Sequence, residues 1–144
     1  MKVADVLAAK GAEVETVRPD AKVVFAVHRM RVQNVGALVV SRDGLKVEGV
    51  LSERDIVRGL TRHGAGLLEM GVVAVMSRGG PTCSPEDSLT TVMGVMTRTR
   101  NRHIPVVADG RLCGIVSVGD VVKHRLEDME LETSVLRDAY LTHH

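Results

Sequence analysis

One short pattern of residues occurs twice in the chain, and both copies contain side chains suited to chemistry. Gly49-Val50-Leu51-Ser52-Glu53-Arg54-Asp55 and Gly114-Ile115-Val116-Ser117-Val118-Gly119-Asp120 share a Gly, two aliphatic residues, a Ser and an Asp. In each copy a strand-like apolar run precedes the Ser and a helix-like run follows it. The free N–H groups and partial positive charge of a helix N-terminus suit a phosphate. An ionised Asp only accepts hydrogen bonds, so it could take both hydroxyls of a ribose.

The same residues have a second interpretation, which is a helix cap. Ser-x-x-Asp is close to a capping box, in which the Ser accepts from the backbone and the acid reaches back. One copy alone would favour the cap, whereas two copies at equivalent places in two similar halves favour binding. We expect Asp55 and Asp120 to lie at exposed helix ends, so that replacing either leaves the fold intact.

The composition argues against several classes of protein. The 144 residues contain 19 Lys plus Arg and 18 Asp plus Glu, so no polyanion-binding tail is indicated. No apolar stretch of about 18 residues occurs, and no long apolar run follows Lys2, so neither a membrane span nor a signal peptide is predicted. Cys83 and Cys113 lack metal-ligand spacing, which indicates reduced structural thiols in a cytoplasmic protein. With one Phe, one Tyr and no Trp, the composition argues against a protein that stacks bases on aromatic side chains.

The order of predicted elements recurs along the chain, at an offset that drifts between 65 and 69 residues. The first half predicts a helical turn at 3–7, a loop at 8–13, a strand at 14–17, a helix with the apolar stripe Val23-Ala26-Val27-Met30, strands at 35–40 and 47–51, and a helix to about 63. The second half predicts a turn at 72–76, a strand near Cys83, the stripe Leu89-Val92-Met93-Met96, strands at 104–107 and 112–116, and a helix. A repeat of this length indicates two copies of one unit, which could bury their apolar sheet faces against each other.

These features resemble the cystathionine-β-synthase (CBS) domain pair, or Bateman module, and most of all its short stand-alone bacterial members. The resemblance covers residues 3–125 and includes both motifs, the hairpin before each, and Arg102-His103-Ile104-Pro105-Val106-Val107. It implies an α+β fold with α/β-type repeats: two CBS repeats, each a small sheet with two helices, packed sheet to sheet with pseudo-two-fold symmetry. The predicted boundaries are 1–66 for repeat 1, 67–126 for repeat 2 and 127–144 for a C-terminal helical extension.

The resemblance implies a regulatory module that binds an adenosine-containing ligand in clefts between the repeats and is not an enzyme. Asp55 and Asp120 would hold ribose hydroxyls, and Ser52 and Ser117 would bond the ribose or a phosphate. Arg54 would meet a phosphate; Gly119 replaces it in the second copy, where Arg102 and His103 could supply charge. Gly36-Ala37 is expected to be equivalent to His103-Ile104. The other predicted contacts, which line the adenine or close the pocket, are Thr16, Val17, Val35, Gly36, Ala37, Thr82, Cys83, Ile104 and Pro105.

Several ligands and functions stay open at this point. Few cations line the motifs, which favours AMP or NAD(H) over ADP or ATP, and S-adenosylmethionine is an alternative. Nucleic-acid binding rests only on the cluster Arg98, Arg100 and Arg102, and the near-neutral charge argues against it. No nucleophile motif, Walker loop or metal-ligand spacing predicts an enzyme or a catalytic cofactor. The chain-end pair His143-His144 is a weak metal signal.

The end of the chain predicts one long helix and a homodimer. Between residues 118 and 141 there is no Pro, and no Gly apart from Gly119. Val122, Leu126, Met129, Leu136 and Tyr140 form a broken stripe of the a/d type that outlasts the repeat unit. Such a stripe covers either a second copy or the helix's own repeat, and the resemblance favours the second copy.

Overall fold

Five α-helices and five β-strands are present in residues 1–142, the part of the chain that a computed structural model describes. The pair His143-His144 lies outside these residues. In chain order the elements are α1 (Val3–Lys10), β1 (Thr16–Val17), α2 (Val23–Gln33), β2 (Ala37–Val40), β3 (Gly49–Ser52), α3 (Glu53–His63), two 3-10 segments (Gly64–Glu69 and Val72–Ala74), α4 (Leu89–Thr99), β4 (His103–Ala108), β5 (Arg111–Ser117) and α5 (Val118–Thr142).

The two sheets are copies of one pattern. The first has the order β1-β2-β3, with β1 parallel and β3 antiparallel to β2. In the second, β4 and β5 are antiparallel, and Cys83 forms an isolated parallel bridge to Val106, at the place of β1. Each motif Ser ends the last strand of its sheet. The predicted doubled α+β unit is therefore confirmed.

The strand register corrects one equivalence between the halves. Ala37 pairs with Ser52 and His103 pairs with Ser117, so Ala37 is the counterpart of His103. Likewise, Gly36 and Arg102 both accept from the first helical N–H after the motif Ser, at 3.0 and 2.9 Å. The prediction that set Gly36-Ala37 against His103-Ile104 was wrong by one residue. The register is fixed by hydrogen bonds across the sheet and to the motif, which the residue types do not reveal.

The halves are interlocked, because the segment before each repeat packs on the other repeat. Val3 and Val6 of α1 belong to an apolar cluster with Leu89 and Ile104, and Val3 N–H donates to the Asp87 carbonyl at 2.9 Å. Reciprocally, a first-half cluster contains Val72 together with Leu38 and Leu51, and Val72 N–H donates to the Ala21 carbonyl at 2.8 Å. The boundary predicted between residues 66 and 67 therefore divides the sequence repeats but not the packing.

Element lengths differ from the prediction at several places. Residues 8–10, predicted as loop, continue α1, because Ala8, Ala9 and Lys10 are good helix formers and the helix ends only where Gly11 N–H donates to the Leu7 carbonyl at 2.8 Å. The strand predicted at 14–17 is confined to Thr16–Val17. The long C-terminal helix is confirmed as α5. No helix within residues 1–142 is long and apolar enough to cross a membrane.

Candidate functional site

The first motif is a closed hydrogen-bond network around Asp55. Its Oδ2 accepts from Ser52 N–H at 2.9 Å and lies 3.0 Å from Ser52 Oγ, and its Oδ1 accepts from Ser77 Oγ at 2.7 Å. Asp55 N–H in turn points to Ser52 Oγ, which completes a capping box. Asp55 is only 5% exposed. The expectation of an exposed helix end was wrong here, because the segment that follows repeat 1 in sequence brings Ser77 over the carboxylate.

The second motif holds its acid differently. Asp120 Oδ2 accepts from Ser117 N–H at 2.9 Å and from Lys10 Nζ at 2.7 Å. Lys10 Nζ also donates to the Ile115 carbonyl at 2.8 Å. Burial by itself would raise the pKa of Asp120, but the Lys10 ammonium and the hydrogen bonds from Ser117 lower the pKa overall. The Asp120 side chain keeps 24% of its surface exposed, so an ionised carboxylate is still within reach of solvent.

The two strand openings touch each other at His103. A Cβ built on Gly36 would lie 3.1 Å from His103 Cε1, so the imidazole of repeat 2 packs against bare backbone of repeat 1. Burial lowers the pKa of His103, while the nearby carboxylates of Glu53 and Asp120 oppose that shift. The lowered pKa favours the neutral imidazole, which can both donate and accept a hydrogen bond.

A crevice between the repeats adjoins a basic groove. The crevice, of about 140 Å³, lies between the β3 side of repeat 1 and residues Thr82, His103 and Pro105 of repeat 2. Asn101 lines both this crevice and a groove of about 420 Å³ whose other residues include Arg54, Arg100 and Arg102.

A third groove adjoins the crevice at Ser77. Its volume is about 220 Å³, and it is lined by Asp55, Arg58 and Arg62 among others. Ser77 lines both this groove and the crevice.

Within residues 1–142, none of the three arginines that line the larger groove with Asn101 forms an ion pair with an acid.

The structure brings together part of the predicted site. Thr82, His103 and Pro105 line the crevice, and Arg54 and Arg102 line the groove beside it. Four other predicted contacts are buried core residues, namely Val17, Ala37, Cys83 and Ile104. The remaining predicted residues outside all three grooves are Thr16, Val35, Gly36, Ser52, Ser117, Gly119 and Asp120.

Sequence reasoning missed four residues of this region. Lys10 and Ser77 hold the two motif acids, and Asn101 and Arg100 join the crevice to the groove. Lys10 and Asp120 are 110 residues apart, and nothing local marks either one as the other's partner. The sequence shows Arg100 only as one member of a basic cluster. Its place beside the crevice depends on its left-handed backbone conformation at the end of α4.

Two interlocked α+β repeats, each with a Ser-x-x-Asp at a strand–helix junction, define a tandem-repeat domain pair. This chain belongs to the CBS domain family, which it matches over residues 3–62 and again over 72–127. That match confirms the resemblance read from the motifs.

Three comparisons show the range of its relatives. The mitochondrial CBS domain-containing protein CBSX3 of Arabidopsis thaliana is 35% identical over 129 residues, which are 84% of this chain but only 63% of that protein. The crystal structure of the CBS-domain protein ATU1752 from Agrobacterium tumefaciens is 39% identical, with a TM-score of 0.81 over 86% of this chain and 98% of that one. The CBS domain pair of MJ0100, solved with 5′-methylthioadenosine and S-adenosyl-L-methionine, shares the fold at 21% identity, with a TM-score of 0.76 over 85% of this chain and 98% of that one.

Proposed function

We propose that this chain is a regulatory module that binds an adenosine-containing ligand between its two repeats, with phosphates in the arginine groove. The observation that carries the proposal is the junction at Asn101, where a crevice between the repeats opens into a groove lined by Arg54, Arg100 and Arg102. Val47, Val50 and Pro105 give the crevice apolar walls, as a base requires. The groove offers guanidinium groups that pair with no acid within residues 1–142, as phosphates require, although Arg54 Nη1 donates to the Arg100 carbonyl at 3.3 Å. The adenosine compounds bound by MJ0100 support the same ligand class.

The arginines bear on the number of phosphates. Arg54 comes from α3 of repeat 1, whereas Arg100 and Arg102 lie between α4 and β4 in repeat 2. A guanidinium binds a phosphate through two parallel hydrogen bonds, so three of them suit more than one phosphate. The sequence-based preference for AMP or NAD(H) rested on the small number of cations near the motifs, because Arg100 was not assigned to the site. ADP, ATP and NAD(H), with two or more phosphates, fit this groove better than AMP does.

Ligand entry requires movement of the segment that links the repeats. A crevice of about 140 Å³ is smaller than the ~300–1000 Å³ of ordinary small-molecule sites. One wall is formed by Ser77, Gly79, Gly80, Pro81 and Thr82. Gly79 has a φ of +66°, a conformation that glycine adopts without strain. A ligand that displaces this wall would shift one repeat relative to the other, which is how binding could be transmitted as a signal.

Isothermal titration with adenosine, AMP, ATP, NADH and S-adenosylmethionine tests the proposal. Arg102→Ala should weaken ATP about 10- to 100-fold, the loss of one or two charge-assisted hydrogen bonds, and should change adenosine binding much less. Arg98→Ala is the matched control, since Arg98 lies in the last turn of α4 but lines none of the three grooves. Absence of binding by every one of these compounds at millimolar concentration would refute the function. S-adenosylmethionine binding without any nucleotide binding would establish the phosphate-free alternative.

We also propose that the module acts as a homodimer, with a second copy covering α5. This helix runs for 25 residues, and its side chains beyond His124 are largely exposed, including Leu126 at 54% and Leu136 at 71%. The exposed residues Val122, Leu126, Met129 and Leu136 follow a/d-type spacing, which pairs most simply with the same stripe of another chain. A closed two-fold dimer is also the commonest soluble assembly.

Light scattering on two matched variants tests the dimer. Leu136→Glu places a charge in the stripe and should yield a monomer. Leu131→Glu is the control, since Leu131 is equally apolar and 64% exposed but lies off the stripe. A monomeric wild-type chain at micromolar concentration would contradict the dimer. A dimer that persists after truncation at Arg125 would place the interface on the repeats instead.

A further inference from the structure

We propose that the third groove binds a second phosphate of the ligand, so that the module selects adenosine compounds phosphorylated on a ribose 2′- or 3′-hydroxyl as well as at the 5′ position. NADP(H) belongs to this class of compound, whereas NAD(H) does not. The inference rests on the proposed adenosine-binding function, and it names the subclass of ligand that the same crevice would take.

The crevice adjoins a basic groove at each of two residues. At Asn101 it opens into the arginine groove, and at Ser77 it meets the third groove, whose volume is about 220 Å³. A ribose can likewise be extended in two directions, because its 5′ carbon and its 2′ and 3′ hydroxyls lie at different places on the sugar ring. The arginine groove accounts for the 5′ phosphates, and the third groove is then the place for a phosphate on the other edge of the ribose.

Arg58 and Arg62 give the third groove its cationic side chains. They lie one turn apart on α3, and both are exposed. Within residues 1–142 neither of them forms an ion pair with an acid. Arg54 lies one turn before Arg58, so three like charges follow one another at four-residue spacing, which destabilises a helix. A bound phosphate would offset that repulsion, and two guanidinium groups suit its oxygens.

Asp55 is the acid of the third groove, and its oxygens are already bonded within the chain. Oδ1 accepts from Ser77 Oγ at 2.7 Å, and Oδ2 accepts from Ser52 N–H at 2.9 Å. Its negative charge balances one of the two arginines, so the groove suits a single phosphate and not a chain of several. Apart from His63, the rest of the lining is small or apolar, namely Gly59, Ala74 and Val75.

Isothermal titration with NADH and NADPH, which differ by one ribose phosphate, tests the inference. Wild type should bind NADPH about 10-fold more tightly than NADH, the contribution of one charge-assisted contact in an open groove. Arginine is the residue that ordinarily accommodates this phosphate, so Arg58→Ala and Arg62→Ala should each reduce the NADPH preference. Arg31→Ala is the matched control, since Arg31 lies in the last turn of α2 but lines none of the three grooves.

A variant of the arginine groove separates the two phosphate positions. Arg102→Ala should weaken NADH and NADPH by the same factor, because both carry the pyrophosphate, and should therefore keep the ratio of their affinities. Adenosine 2′,5′-bisphosphate and 3′,5′-bisphosphate, each compared with AMP, repeat the comparison without the nicotinamide. At least one of them should bind about 10-fold more tightly than AMP. A urea midpoint establishes that each variant is folded, which is expected because the substituted arginines are exposed.

The failure of this inference and the failure of the proposed function give different results. Equal affinity of wild type for NADH and NADPH would overturn the role of the third groove and leave adenosine binding standing. An NADPH preference that both Arg58→Ala and Arg62→Ala retain in full would overturn it as well. Failure of every one of these compounds to bind wild type at millimolar concentration would overturn both.

Discussion

Asp55→Ala should destabilise the fold severely, although this residue stands in a motif that would ordinarily be mutated to abolish ligand binding. The carboxylate accepts from Ser52 N–H at 2.9 Å and from Ser77 Oγ at 2.7 Å, and it is 5% exposed. Alanine therefore leaves the part-buried Ser52 N–H and the Ser77 hydroxyl without their acceptor, and only water from the adjoining groove could replace it. The helix α3 also loses its capping box.

The size of the loss follows from these contacts. A hydrogen bond to a charged group contributes about 1.5–3 kcal/mol, and a lost helix cap costs about 1 kcal/mol. Because removal of a buried charge returns part of its desolvation cost, we expect a net loss of about 3–4 kcal/mol. That is a large share of the ~5–15 kcal/mol by which a domain is stable. Asp120→Ala should cost only about 1 kcal/mol, since water can reach its 24% exposed side chain and solvate Lys10.

Urea unfolding followed by circular dichroism measures the difference as a shift in midpoint at constant slope. Asp5→Ala is the control, because Asp5 accepts from Lys2 N–H at 2.8 Å in the same kind of cap but on an exposed helix end. In a double-mutant cycle, Ser77→Ala should add little to Asp55→Ala, since both remove the same contact. If Asp55→Ala costs no more than Asp5→Ala, then the hydrogen-bond network around Asp55 does not stabilise the fold.

Three further outcomes are expected from single sites. Arg100→Asn should raise the urea midpoint, because Arg100 has a left-handed φ of +57° and Asn34 adopts the same conformation at the equivalent helix end. The same substitution should weaken ATP binding. A lowered urea midpoint would contradict the first expectation. Burial raises the pKa of the Cys83 thiol to about 12, so mass spectrometry should find it unalkylated by iodoacetamide at pH 8 until urea unfolds the chain. Burial lowers the pKa of His103 below its ordinary 6.5, so the unfolded chain takes up a proton first and the free energy of unfolding should fall as pH drops below 6.5; His103→Gln should reduce that fall, and an unchanged pH dependence would contradict the assignment.

The elements and their duplication could be predicted because they are encoded locally. Apolar residues at i, i+3, i+4 and i+7 marked α2 and α4, and two runs ending in Gly-h-h-Ser marked the last strand of each sheet. Helix ends were harder to predict. Residues 8–10 were expected to be loop but are helix, because only Gly11 carries a stop signal. The equivalence of Gly36 and Arg102 in the two repeats could not be predicted either, since it depends on backbone hydrogen bonds and not on side-chain type.

The site was predictable only in the residues that the motifs contain. Arg54, Arg102, His103 and Pro105 were named from the sequence and line the crevice or its groove. The partners of the two motif acids could not be named, because the short apolar segment before each repeat looks the same whichever half it packs on. Only the three-dimensional exchange of these segments brings Lys10 to Asp120 and Ser77 to Asp55.

That exchange explains why the acids in the two copies of the motif have different surroundings. Both copies supply a Ser, an Asp and the start of a helix, and both acids are contacted by the segment that crosses over from the other half. In the first copy the residue that crosses over is Ser77, which backbone hydrogen bonds hold in place, so Asp55 is enclosed and acts as a helix cap. In the second copy it is Lys10, on a flexible side chain, and the Asp120 side chain keeps 24% of its surface exposed. The two copies are therefore unequal in the structure: the first motif is bonded to the segment before repeat 2 through Ser77, and the second is bonded to α1 through Lys10.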